Sequence, residues 1–180
     1  MPRKTAPKSK HIHWDFRVDR FNASVMAGIS SDILNPRFWA PKNKIYNFYS
    51  TIELTSTCIE PEELAGAVYT FMVYGYESRF EDFSSVLGDY AARNKDGSVM
   101  YRKVRGLSEE VYEPPKDIGL IDRNMGKRNW MGSLHVPPTL LNDMLVVLTG
   151  VSPAYLCVHE LREGRERRII GFTLQTKEPD

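Results

Sequence analysis

The 180-residue chain is 42% hydrophobic and 26% charged, an ordinary globular composition with enough apolar mass for one buried core. Its 24 basic and 23 acidic residues leave a net charge of +1, which excludes a polyanion binder that works through whole-chain charge. No apolar run has the length of a membrane span and the first residues lack a secretory apolar segment, so a soluble cytoplasmic protein with no membrane partner is expected.

Residues 1–10 read as a basic, proline-containing, disordered tail, and residues 11–180 as a single α+β domain. From His11 to Arg20 the alternation is strict. Ile12, Trp14, Phe16 and Val18 share one parity, and His11, His13, Asp15, Arg17 and Asp19 share the other, the signature of a half-buried strand. Ser24 to Ile29 reads as a second short strand. Asn35-Pro36 and Ala40-Pro41 bracket Arg37-Phe38-Trp39 as a loop that buries its aromatics.

Two long runs follow, joined by the acidic link Glu60–Gly66. In the first, Tyr46, Phe48, Ser50, Ile52, Leu54, Ser56 and Cys58 make an apolar face against a threonine-rich one. The second, Ala67 to Tyr76, is apolar at both parities, as expected of a central strand buried on both faces. The link is too short for a parallel crossover, so the pair is expected to be antiparallel, with a single helical turn after Pro61.

Phe80, Phe83, Val86, Leu87 and Tyr90 recur at helical spacing and predict an amphipathic helix over 79–93. Asn94-Lys95-Asp96-Gly97 is a turn signal, and Ser98 to Val104 reads as a strand. Residues 105–129 form the loosest stretch, rich in glycine, proline and cations. Trp130 to Val136 is a strand, and Pro137-Pro138-Thr139 opens a helix through Leu148. A hairpin closes the chain, with strands Tyr155–Leu161 and Arg168–Thr176 and a charged tip between them. The fold class expected from this tally is α+β: a twisted, mainly antiparallel sheet of about six or seven strands with two helices packed on it.

Chemistry centres first on His11, His13 and Asp15. Residues two apart on a strand share a face, and two imidazoles with a carboxylate are suitable ligands for a divalent metal. His135 or His159, in other predicted strands, would supply a third imidazole. His-x-His-x-Asp resembles the metal motif of metallo-β-lactamase-type hydrolases, with Phe16 where their next histidine stands. His-x-His at the end of a first strand is similar to amidohydrolases, whose barrels need a longer chain. His13-Trp14-Asp15-Phe16-Arg17-Val18-Asp19 resembles the His-Tyr-Asp-Phe-Arg-Leu-Glu segment of the 3′-phosphoesterase domain of bacterial end-joining DNA ligases, with Pro7 where that family has a further metal histidine. These resemblances imply a metal-dependent hydrolase acting on phosphate esters. The ordinary alternative is a solvent-facing polar strand face whose charges form cross-strand pairs.

The second candidate is the cation set Arg102, Lys103, Lys116, Arg123, Lys127 and Arg128 with Trp130, suited to phosphates and bases or to a protein partner. Arg162, Arg165, Arg167 and Arg168 add to it. Acidic residues interleave both groups, as on solvated loops. The two cysteines, Cys58 and Cys157, read as reduced core thiols. No glycine-rich phosphate loop, nucleophile elbow or Cys-x-x-Cys pair is present. The leading expectation is therefore a non-enzymatic interaction protein that binds a protein partner through an aromatic and charged surface and holds no cofactor. The alternatives are the metal hydrolase and a nucleic-acid-binding module.

Overall fold

The computed structural model describes residues 9–29, 46–76, 84, 86–123, 130–150, 153–164 and 166–179, with the backbone alone at 29, 46, 47, 76, 122 and 123. The chain divides into two compact units, one of Met1–Glu77 with Asp117–Asp180, the other Ser78–Lys116.

The first unit contains seven strands that close into a barrel. They are β1 (Ser9–Ile29), β2 (Tyr46–Glu60), β3 (Val68–Tyr76), β6 (Gly119–Arg123), β7 (Trp130–Val136), β8 (Ala154–Glu163) and β9 (Glu166–Gln175), in the spatial order β1-β2-β3-β7-β6-β9-β8. One helix, α1 (Pro138–Gly150), packs against β2, β3 and β9. The expected α+β sheet with two helices is thus corrected to a mainly β fold with a closed barrel and, among the described residues, a single α-helix. The sheet has no free edge inside the barrel because β1 bonds on both sides, to β2 and to β8. A residue skipped in the register between Val18 and Arg20 sharpens the twist that such closure needs. Nor is every pair antiparallel: β3 and β7 run parallel.

Alternation decides what fills the barrel. Trp14 and Phe16 from β1, Ile52 and Leu54 from β2, Tyr69, Phe71 and Val73 from β3, and Leu156 and Val158 from β8 are buried at every second position. Their rings interlock, with Phe16 edge-on to both Tyr69 and Phe71 at 4.9 Å. The interior is a packed core. Gly132 belongs to it by having no side chain: a Cβ there would stand 2.3 Å from the Phe71 ring. β3 is buried on one face only, since Thr70, Met72 and Tyr74 remain partly exposed. Leu141, Met144 and Leu148, spaced by three and four, form the single buried stripe of α1.

The antiparallel β2–β3 pair and the short turn between them, Glu62–Leu64, are as expected. The two strands predicted at 11–20 and 24–29 are one continuous strand, and β6 lies within the stretch read as loose. The loop over 35–41 and residues 1–8 fall outside the described residues; Ser9 and Lys10 already pair with Glu163 and Arg162.

In the second unit, β4 (Tyr101–Val104) and β5 (Leu107–Glu110) make a hairpin whose turn places Arg105 at φ 50° and Gly106 at φ 86°. The helix expected over 79–93 is not formed in its described part. Leu87–Tyr90 is one 3-10 turn, and the Ala92 N–H donates to the Val111 carbonyl at 2.8 Å, so the backbone pairs across the unit instead of up a helix. The 94–97 turn is present, closed by the Asn94 N–H to the Ser98 carbonyl.

Candidate functional site: an imidazole face and an apolar ribbon

Register brings one expected third imidazole to the β1 motif and keeps the other away. On the closure seam, His13 lies opposite His159 and Asp15 opposite Cys157. Because Trp14 and Phe16 face inward, His11, His13 and Asp15 project from the outside of the barrel, where His159 and Cys157 join them. His11 Nδ1 and His159 Nε2 are 2.9 Å apart in a hydrogen bond, and the His13 and His159 rings stack with centroids at 4.5 Å. His135 sits on β7 and stacks on Tyr74 at 5.5 Å. β2 and β3 separate it from β1 on one side, and β8, β9 and β6 on the other. Among the described residues, no three His, Cys, Asp or Glu already converge as a ligand set for an ion.

A groove of about 310 Å³ runs beside this face, lined in part by His13, Asp15, Cys157, His159, Gly171 and Thr173. Gly171 pairs with His159 and leaves the space a side chain would occupy. Desolvation and the neighbouring His13 and His11 hold His159 below the usual histidine pKa, so it is neutral at pH 7. Burial, with the Asp15 carboxylate accepting its S–H, pushes the Cys157 thiol up to about 12, which makes it inert as a nucleophile. Cys58 is pushed up to about 11, chiefly by burial. Both cysteines are free. They flank β1 on opposite neighbours, Cys58 facing the core and Cys157 the outside.

Sequence reasoning passed over Glu160. Its side chain has 0% exposure, and its carboxylate accepts from Trp14 Nε1–H at 2.7 Å, Arg162 Nε–H at 2.8 Å and Arg167 Nε–H at 2.7 Å. The two guanidiniums hold it below the usual carboxylate pKa against the opposing effect of burial. The Arg167 guanidinium also lies over the Trp14 ring at 5.9 Å. The available signal was parity: Glu160 shares the inward phase of Leu156 and Val158.

The members of the expected cation set are divided between the two units. Arg102 pairs with Glu109 at 3.8 Å on the β4–β5 hairpin, which also carries Lys103. Lys116 is exposed and lies in the same unit. Trp130 belongs to the barrel, stacked on Tyr69 at 5.2 Å. The Arg123 side chain and all of Lys127 and Arg128 lie outside the described residues.

The remaining feature is the far half of β1. From Asp19 onward it bonds, among the described residues, to β2 alone, forming a ribbon. Its outer face is mainly polar, with Met26 exposed among hydrogen-bonded neighbours: Ser24 bonds Thr51 at 2.6 Å, Arg20 bonds Thr55 at 3.1 Å and Thr57 bonds Asp19 at 2.6 Å. Its other face continues the core parity, with Phe21 opposite Leu54, Ala23 opposite Ile52 and Ala27 opposite Phe48. Leu54 and Ile52 are fully buried, yet Phe21 is 37%, Phe48 50% and Val25 81% exposed.

No protein-family model, curated protein or solved structure matches the chain. Among the described residues, no helix is long and apolar enough to cross a membrane.

Proposed function

We propose that the chain is an interaction protein and that a protein partner covers the apolar face of the β1–β2 ribbon. The observation that carries this reading is the stripe Phe21, Ala23, Val25, Ala27 and Phe48, which keeps the inward phase of the core strands yet is exposed. Solvent-facing strands carry mainly polar residues, as the opposite face of this ribbon does apart from Met26. An apolar face that emerges from a core and stays exposed is the mark of an interface. Free cysteines suit a reducing, cytoplasmic setting.

Photo-crosslinking in the expressing cell tests the proposal, with the reactive side chain placed at position 25 or 48. Discrete protein adducts from these positions, absent when the group is placed at Ser24 or Thr51, are expected. Identical adducts from both faces, or none from the apolar one, would refute it. Val25→Asp is expected to abolish the adduct formed from position 48 while leaving the far-ultraviolet spectrum unchanged, because Val25 is 81% exposed in the free chain.

A further inference from the structure

We infer that His11, His13 and His159 form a binding site for one late first-row transition-metal ion of the zinc class. The inference is independent of the ribbon. Three imidazoles are a common donor set for zinc, and here they come from two adjacent strands held in fixed register, His13 directly opposite His159. In a tetrahedral zinc site with bonds of about 2.0–2.1 Å, two ligand nitrogens stand about 3.3 Å apart. His11 Nδ1 and His159 Nε2 are at 2.9 Å, so a few tenths of an ångström of side-chain movement admit an ion between them. The ion would take the place of the shared proton.

His13 is exposed, and its ring is stacked 4.5 Å from that of His159 instead of pointing a nitrogen at the same point. Completing the set requires the His13 ring to turn out of this stack about its side-chain torsions. The groove beside the cluster leaves room for water at a fourth position. The three histidines alone are assigned as ligands.

The test uses the full chain, stripped with a chelator. It is titrated with zinc chloride by calorimetry, and with cobalt(II) by visible absorption, which reports four-coordinate geometry. One ion per chain at micromolar or tighter affinity is expected. His11→Ala, His13→Ala and His159→Ala should each weaken binding by more than about tenfold, and His135→Ala should leave it unchanged. If His159→Ala does not fold, His159→Gln with the zinc-induced rise in Tm replaces it. No binding at stoichiometric metal, wild-type affinity in the His159 variants, or equal loss in His135→Ala would overturn the inference.

Discussion

Glu160 is a carboxylate with no exposed surface, surrounded by Trp14, Arg162 and Arg167. Removing one member of such a group leaves the others desolvated without compensation. Glu160→Ala is therefore expected to lower the unfolding free energy by about 3 kcal/mol in urea denaturation, at the lower end of the range for buried pairs because both arginines reach water. Cys58 gives a pH test at the same scale. Its folded pKa of about 11 exceeds the unfolded value of 9.0, so the folded state retains a proton that the unfolded chain releases. Stability from this group is full below pH 9 and falls as pH rises through 11. A thermal melt series in Cys58→Ala should be flatter across that window than in the parent. The two residues differ in how readable they were. Cys58 in an alternating strand was expected to be a buried thiol, whereas Glu160 lay unremarked within the predicted strand Tyr155–Leu161 because its inward phase was not compared with that of Leu156 and Val158.

At the scale of elements, strands with clean period two were legible and stretches held by distant partners were not. β2, β3, β7, β8, β9 and α1 stand close to where pattern places them. The 79–93 segment misled because apolar residues at helical spacing carry no information about whether a neighbouring chain will take the backbone bonds, as Val111 takes that of Ala92. β6 escaped notice for a related reason. It is short, and Gly119 stands there because a Cβ would come within 2.0 Å of the Ser133 carbonyl oxygen on β7, a demand visible only after the strands pair. The β3–β7 contact gives a measurable counterpart. Gly132→Ala should force the fully buried Phe71 ring out of its position and cost about 1–3 kcal/mol, read as a fall in Tm with the secondary structure retained. As for the imidazole face, its two β1 histidines were evident from spacing. The choice of His159 over His135 needed the β1–β8 register.

For the whole molecule the decisive event is closure. No local pattern announces that β1 will bond to β8, since Lys10 and its partner Arg162 are far apart in the chain. The same seam carries Trp14 to Glu160 and brings His11 to His159. Deleting residues 1–18 is expected to replace a single cooperative unfolding transition by a broad, low-amplitude one in calorimetry, because β8 would lose its partner and Glu160 its Trp14 donor. A consequence follows for synthesis on the ribosome. β1 is made before its partners, and the strand that seals its free side is complete only at Glu163, so the emerging chain carries an unsatisfied strand edge for as long as β8 is missing. Barrel closure must therefore wait until β8 has emerged, and until it occurs the nascent polypeptide needs protection from β-strand pairing with neighbouring chains.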